Sequence, residues 1–239
     1  MAVESLYREP ERQDIDWPAL EFHDVFRIYR SGSVETVALR GVDLRIERGE
    51  FVAIWGPSGS GKSTLLHLAA GLDQPSAGEV RAFGRSLSRM DETELAEFRS
   101  TGVAIVFQSD NLWSDLSLVE NVALSARLAG LESADTIAPS VLPAFGLEGR
   151  GSHRAAALSG GEQQRAAVAA AAARHAPLVL ADEPTGELDT RNEDLVLASL
   201  FRLRQRERYR TALIVVTHSQ RVASRADRVV ELRDGRVVG

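Results

Sequence analysis

One nine-residue stretch constrains the fold of this chain more than any other feature. It fits the G-x-x-x-x-G-K-[ST] pattern of a phosphate-binding loop and consists of Gly56, Pro57, Ser58, Gly59, Ser60, Gly61, Lys62, Ser63 and Thr64. An apolar run typical of a buried strand precedes it at 51–55, and apolar residues at helical spacing follow it up to Gly71. A strand, a glycine loop and a helix in this order direct backbone N–H groups and a helix N-terminus at phosphate oxygens. The stretch therefore predicts a nucleotide phosphate site rather than a simple glycine-rich turn.

Lys62 carries a second signal, because it is the only lysine among the 28 lysine and arginine residues of the chain. Arginine has a planar, forked guanidinium, whereas the lysine ammonium is a compact point charge on a flexible stem. A chain that uses arginine everywhere else indicates that this loop needs an ammonium group. The competing interpretation is an accident of composition.

The composition bounds the class of protein. With 239 residues, 44% apolar and 26% charged, the chain is long enough for one large domain or a core with a subdomain. Its formal net charge of -6 disfavours a nucleic-acid partner, and the lack of cysteine excludes disulfides and cysteine metal sites. No apolar run approaches the ~18 residues of a membrane span, and the acidic start is unlike a secretory signal. These features predict a cytoplasmic protein.

The order of patterns along the chain predicts its domain organisation. Residues 1–19 are acidic with few apolar positions, so we expect a flexible N-terminal extension followed by one domain over 20–239. Alternation of apolar and polar residues at 42–47, together with the segment 20–29, indicates a small antiparallel sheet before the phosphate loop. The segment from about 109 to 157 has helical patterning broken by glycine and proline, which predicts an inserted helical subdomain.

Three further apolar runs each end in a polar residue. The runs occupy 103–107, 178–181 and 212–217. They lead to Gln108, to the pair Asp182 and Glu183, and to His218, and open α/β sheets place their ligand groups at such strand ends. Beside a phosphate loop, Asp182 suits a Mg²⁺ shell and Glu183 suits a base for water. A single glutamine or histidine carries less information, and its position at the same sheet edge is what makes it a candidate.

Tyr29 lies at the end of the first predicted strand, beside the loop 30–33. An aromatic ring there can stack on a nucleotide base, which is worth roughly 1 kcal/mol or more in good geometry. Residue type alone favours the other interpretation, in which the ring is buried in the sheet. Both interpretations stay open at this point.

The stretch Ser159, Gly160 and Gly161 predicts a second anion site. With Glu162 it also forms a helix capping box, which opens an alanine-rich helix. Capping alone does not require two consecutive glycines, each of which destabilises a helix. Glycines and a serine at a positive helix end suit an anion, about a hundred residues after the first such site.

Taken together, these residues resemble the nucleotide-binding subunit of the ATP-binding-cassette family over about 20–239. The run from Leu158 to Arg165 is similar to the family's signature motif, and Glu187-Leu188-Asp189 is similar to its D-loop. The resemblance implies an α/β fold: a RecA-like P-loop NTPase core with an antiparallel β subdomain and an inserted helical subdomain. It also implies ATP and Mg²⁺ as cofactors and ATP hydrolysis as the activity.

The resemblance further implies a role for each candidate residue. Tyr29 stacks on adenine, and the loop from Gly56 to Thr64, with Lys62, holds the phosphates. Ser63, Gln108 and Asp182 arrange Mg²⁺. Glu183 polarises the attacking water, and His218 contacts the γ-phosphate. Two subunits are expected to form a head-to-tail homodimer in which Ser159, Gly160 and Gly161 of one close over the ATP of the other.

Within the family, the segments 107–112 and 118–122 look most like the lipoprotein-release and macrolide-exporter type, which pairs with a separate or fused permease. The chain departs from that type at Ala170, where arginine is common, and at Trp113, where an aliphatic residue is usual. We therefore expect a subunit held on the inner face of the cell membrane by a permease. An ATPase that regulates a non-transporting, cell-division type of partner is the alternative.

Trp113 is the residue for which we predict permease contact. An apolar patch of Leu112, Trp113, Leu116 and Leu118 exceeds what a small capped subdomain needs, and we expect it to receive a helix of the partner. The competing interpretation places Trp113 in the core of the subdomain.

Overall fold

The structure is a computed structural model that describes residues 17–186, 188–204 and 210–238. Its strands are β1 (Leu20–Ser31), β2 (Val34–Ile46), β3 (Phe51–Trp55), β4 (Ala77–Ala82), β5 (Arg85–Ser86), β6 (Val103–Val106), β7 (Leu178–Asp182), β8 (Ala212–Thr217), β9 (Arg228–Arg233) and β10 (Arg236–Val237). Its α-helices are α1 (Lys62–Ala69), α2 (Glu92–Glu97), α3 (Leu118–Leu128), α4 (Ala134–Val141), α5 (Gly160–Ala173), α6 (Thr190–Arg204) and α7 (Gln220–Ala223).

A mostly parallel sheet forms the core, with the strand order β10-β9-β3-β8-β7-β6. Strands β3, β7 and β8 are continuous apolar runs because helices cover both faces of the sheet, and nearly all their residues are buried. Trp55 pairs with Thr217, and Asp182 pairs with Val216. The carboxyl ends of these strands are therefore level, and the residues that follow them emerge at one edge. The predicted α/β fold is confirmed.

A second, antiparallel sheet has the order β2-β1-β4-β5 and confirms the predicted β subdomain. Strands β1 and β2 form a long hairpin that is interrupted by bulges. Its inward side chains join the same apolar core as those of α1 and of β3, so this sheet packs directly beside the phosphate loop.

The N-terminal extension was predicted to run to residue 19, and its last three residues lie in the described part of the chain. Ala19 is fully buried, and its carbonyl accepts a hydrogen bond from the Phe83 N–H at 3.2 Å. The Trp17 ring packs on Gly84, where a Cβ would lie 2.6 Å from it, and the Trp17 carbonyl accepts from Arg48 Nε at 3.0 Å. An aromatic ring and backbone partners thus bind residues 17–19 to the β subdomain. Residues 1–16 lie outside the described part of the chain.

Helices α3 and α4 follow β6 and pack against α5. Capping boxes begin α3 at Ser117 and α5 at Ser159, where both reciprocal hydrogen bonds form. Residues 166–173 of α5 are alanine apart from Val168, and all are buried. Small side chains let this central helix lie close to the sheet on one side and to α3 on the other.

We expect Phe51→Ala to destabilise the fold, because Phe51 is 1% exposed and meets the Phe201 ring edge-to-face at 5.4 Å. Loss of a buried phenyl ring costs about 3–5 kcal/mol of unfolding free energy. A thermal melt should show a clearly lower midpoint. Val34→Ala, at a side chain that is 62% exposed, is the control and should melt like the wild type. Equal midpoints for the two variants would contradict this description of the core.

Candidate nucleotide site

The phosphate loop connects β3 to α1, and two of its glycines are required by close neighbours. A Cβ on Gly56 would lie 2.1 Å from the Leu232 carbonyl oxygen, and one on Gly61 would lie 2.4 Å from the Ala38 carbonyl oxygen. Gly61 also has a φ of 100° and caps the N-terminus of α1. The loop is therefore pressed between β9 and β2, with its backbone exposed at the start of a helix.

The Lys62 side chain folds back over this loop. Its Nζ donates hydrogen bonds to the carbonyl oxygens of Gly56 at 2.8 Å and Pro57 at 2.9 Å. The residue is 8% exposed, so the ammonium lies inside the loop. An ammonium has three donors, and a phosphate oxygen can accept the third.

Asp182 ends β7 next to the first turn of α1. Burial raises the pKa of its carboxyl above the ordinary value, a hydrogen bond from Ser63 opposes that rise, and the neighbouring Glu183 adds to it. Its Oδ1 atom is buried without a hydrogen-bond partner among the described residues. A buried carboxylate oxygen of this kind beside a serine hydroxyl fits a Mg²⁺ ligand set. The described residues contain no group of three or more His, Cys, Asp or Glu that could hold a metal by itself, so phosphate oxygens would complete the shell.

Glu183 has an unusual backbone and a defined side-chain partner. Its φ is 44°, in the left-handed region, and its N–H donates to the Val216 carbonyl at 2.9 Å. Its Oε2 lies 2.9 Å from His218 Nδ1 and accepts from the His218 backbone N–H at 3.3 Å. The Glu183 side chain is 17% exposed and that of His218 is 67% exposed. The two line a cavity of about 280 Å³ together with Gly186, Glu193 and Ser219.

Gln108 follows β6, and two residues that the sequence did not reveal hold the chain there. The Asn111 side-chain amide makes two hydrogen bonds with the backbone of Phe107. Its Oδ1 accepts from the Phe107 N–H and its Nδ2 donates to the Phe107 carbonyl, both at 2.7 Å. Gln164 of α5 donates to the same carbonyl at 2.9 Å. The available signal in the sequence was an asparagine four residues after Phe107, just beyond the end of β6. These bonds tie the segment that contains Gln108 to the helix that begins at Gly160.

The interpretation that Tyr29 is buried in the sheet is wrong, because Tyr29 is 38% exposed. Its hydroxyl donates to Asp73 Oδ2 at 2.9 Å, and the Arg27 guanidinium lies over the ring, 4.5 Å from its centroid. Stacking on a base remains a prediction.

The second predicted anion site begins α5. The Ser159 hydroxyl donates to Glu162 Oε2 at 2.9 Å, and the Ser159 backbone N–H donates to the same oxygen at 3.0 Å. The backbone bond, and then the hydroxyl bond, lower the pKa of the Glu162 carboxyl. A Cβ on Gly161 would lie 2.4 Å from Asn192 Oδ1, so packing on α6 explains that glycine. A Cβ on Gly160 would meet nothing within 4 Å. Packing against the described residues therefore gives no reason for the glycine at 160.

The structure brings some candidates together and leaves others apart. Ser63 contacts Asp182, and Glu183 contacts His218. Within the described part of the chain, the side-chain hydrogen bonds of Tyr29 and Ser159 go to Asp73 and Glu162 and not to the phosphate loop. Glu187 of the predicted D-loop lies outside the described residues. No helix among the described residues is long and apolar enough to cross a membrane.

Comparison with known proteins agrees with this geometry. The profile of the ABC transporter family matches residues 39–186. A macrolide export ATP-binding/permease protein MacB from Azoarcus sp. (strain BH72) is 42% identical over 223 residues, 92% of this chain, and one from Hyphomonas neptunium is 44% identical. The chain spans 34% of the length of these relatives.

Solved structures give the same result. The ATP-binding cassette MJ0796, in a dimeric post-hydrolysis state with ADP and Pi, superposes with a TM-score of 0.84 at 36% identity, covering 92% of this chain and 97% of that one. The cassette cbiO1 from Clostridium perfringens, part of the transporter complex cbiONQ, gives 0.81 at 26% identity, covering 93% and 88%. The chain therefore belongs to the ABC transporter family and is one of its ATP-hydrolysing cassettes.

Proposed function

We propose that this cassette powers a membrane permease, in export or in extraction of a molecule from the membrane, and that it is held at the inner face of the membrane by that permease. The proposal is supported by the relatives named as combined ATP-binding and permease proteins, in which a cassette of this length is about a third of the chain. The observation that carries it is a groove beside Phe107 with exposed apolar residues at its rim, described below.

For hydrolysis we infer the following division of roles. Lys62 and the backbone N–H groups of the loop hold the phosphates, and Ser63, Gln108 and Asp182 hold Mg²⁺. When bound, Mg²⁺ supplies charge neutralisation at the phosphate oxygens. Glu183 orients the water and takes its proton as the water attacks the γ-phosphate in line. His218 Nδ1 keeps the Glu183 carboxylate in place, and its exposed ring is free to contact the γ-phosphate.

The second anion site suits a nucleotide on another copy of the chain. Ser159 and Gly160 are exposed at the N-terminus of α5, and the open space beside Gly160 allows a phosphate to approach the backbone closely. The cassette MJ0796 was solved as a dimer. We propose a homodimer in which Ser159, Gly160 and Gly161 of one copy close over ATP held by Lys62 of the other.

The permease surface that we propose is a groove of about 270 Å³ between the core sheet and the helical subdomain. Trp113 is 68% exposed and Leu128 is 59% exposed at its rim, so the interpretation of Trp113 as a core residue is wrong. Leu118, which was predicted in the same patch, is fully buried in the core instead. Ala170 lines the groove, and its small side chain leaves room for an incoming residue.

The groove also carries a cation. Arg174 of the groove lining donates to the Ser100 carbonyl at 2.8 Å, and burial lowers its pKa. Its Nε atom is buried without a partner among the described residues. A helix that presents an apolar side chain to the Trp113 rim and an acceptor to the positive charge of this lining would fit the groove.

Glu183→Gln should retain ATP binding and lose turnover by about 10²- to 10⁴-fold, because only the proton acceptor changes. The amide can still accept the bond from His218. Phosphate release and ATP titration on the same purified variant measure both properties. Glu193→Gln is the matched control: it lines the same cavity, but its carboxylate accepts from Ser219 Oγ at 2.6 Å. Turnover near that of the wild type in Glu183→Gln would remove Glu183 from this role.

Lys62→Arg should fold normally and bind ATP weakly or not at all. A planar guanidinium cannot take the position of a point charge that contacts two carbonyls of a tight loop. Calorimetric titration with ATP measures the affinity, and a thermal melt checks the fold. Unchanged affinity would make the single lysine an accident of composition.

Trp113→Ala should leave the melting midpoint and the basal ATPase of the isolated chain unchanged, because the side chain is exposed and the bonds that Asn121 makes to Trp113 go to its backbone. It should weaken co-purification with the membrane partner. Val229→Ala, at a 46% exposed side chain on β9, controls for loss of surface apolar area. Assembly as tight as in the wild type would disprove the role of the groove.

A further inference from the structure

Two charged residues, Arg27 and Asp73, contact the Tyr29 side chain. The Tyr29 hydroxyl donates to Asp73 Oδ2 at 2.9 Å, and Arg27 Nε donates to the same oxygen at 2.8 Å. Arg27 Nη2 lies 2.7 Å from the other carboxylate oxygen, so the pair is bidentate. The Arg27 guanidinium then lies over one face of the ring, 4.5 Å from its centroid.

This pair differs from the surface ion pairs of the same hairpin. The side chains of Arg27 and Asp73 are 23% and 21% exposed, whereas those of the Arg30–Glu35 pair are 75% and 55% exposed. Exposed pairs contribute little because solvent screens them and their side chains stay mobile. A half-buried, bidentate pair that also bonds a tyrosine hydroxyl fixes all three side chains in one arrangement.

Asp73 lies in the connection that leaves the phosphate-binding helix α1. The Gln74 N–H donates to Asp73 Oδ1 at 2.8 Å, and the Ser76 N–H donates to the Phe26 carbonyl at 2.8 Å. The Ile28 N–H donates to Ser76 Oγ at 3.0 Å. The connection therefore runs along β1 and joins the strand that carries Tyr29 to the helix that begins at Lys62.

We propose that Asp73 and Arg27 are positioning residues for nucleotide binding, which present one face of the Tyr29 ring to the adenine base. The inference rests on the proposed stacking role of Tyr29. Arg27 covers one face, so a base can approach only the opposite one, and the hydroxyl bond to Asp73 holds the far end of the side chain in one χ1 rotamer. A ring fixed in advance loses less conformational freedom when the base binds. The same carboxylate lies in the connection that follows α1, so it links the Tyr29 ring to the helix that begins at Lys62.

Calorimetric titration of the full chain with ATP and, separately, with inorganic triphosphate tests the proposal, both with Mg²⁺. Triphosphate lacks the base, so it reports on the phosphate loop alone. Asp73→Ala should weaken ATP binding about 2- to 10-fold, the effect of one immobilised side chain, and leave triphosphate binding unchanged. Tyr29→Ala should weaken ATP binding about 5- to 100-fold, as for a lost stacking contact. Adding Asp73→Ala to Tyr29→Ala should have no further effect.

Glu35→Gln is the matched control, because it removes the same charge from an ion pair of the same hairpin and should change neither titration. Tyr29→Phe loses only the hydroxyl bond to Asp73 and keeps the stacking surface, so it tests the proposal even if Asp73→Ala does not fold. We expect about 2- to 10-fold weaker ATP binding for this variant as well.

Several results would overturn the proposal. If Asp73→Ala weakens the binding of ATP and of triphosphate equally, the Arg27–Asp73 pair only stabilises the fold. Losses of ATP affinity that add up in the double variant would lead to the same conclusion. ATP binding in Tyr29→Phe as tight as in the wild type would show that the hydroxyl bond to Asp73 does not contribute to nucleotide binding. If Tyr29→Ala itself binds ATP like the wild type, the stacking role of Tyr29 fails first. If Tyr29→Ala is weakened and Asp73→Ala is not, only the positioning role fails.

Discussion

Trp55 of β3 lies opposite Thr217 of β8, and Asp182 of β7 lies opposite Val216. This parallel register places the phosphate loop, the two acids and His218 at one edge of the sheet. Lys62 and His218 are more than 150 residues apart in the sequence. A shift of one residue in β7 would turn its side chains to the opposite face of the sheet, because successive side chains alternate. The buried apolar strands specify the register, and the chemistry at their ends depends on it.

Two residues at this edge, Asp182 and Glu183, have a backbone conformation or a side-chain environment that costs folding free energy. Glu183 has a left-handed backbone, which costs of order 1–2 kcal/mol for a residue with a Cβ. Asp182 is a half-buried carboxyl with a raised pKa, and its buried Oδ1 atom lacks a partner among the described residues. The core beneath them offsets these costs, since strands β7 and β8 are buried along their length. Polar groups left unsatisfied next to a phosphate loop are groups that a bound nucleotide and its metal ion can satisfy.

Local patterns predicted four strands of the core sheet, the capping box at Ser159, and the placement of Gln108 and His218 at strand ends, because each depends on short-range spacing. Contacts between distant segments could not be predicted in this way. Residue type suggested that Tyr29 was buried, since the sequence does not reveal that Asp73, 44 residues away, bonds its hydroxyl. Likewise, the bonds of Asn111 and Gln164 to Phe107 join residues up to 57 positions apart. The close approach of Leu232 to Gly56 is a tertiary contact of the same kind.

The position of Lys62 has a practical consequence for chemical labelling. It supplies the only side-chain amine in the chain, and the loop encloses it to 8% exposure. An acylating reagent therefore has one internal target besides the α-amino group, and that target is shielded by its own backbone. Arginine elsewhere is inert to such reagents because its guanidinium stays protonated. The rate of modification of this single amine thus reports on the state of the phosphate loop without an introduced probe.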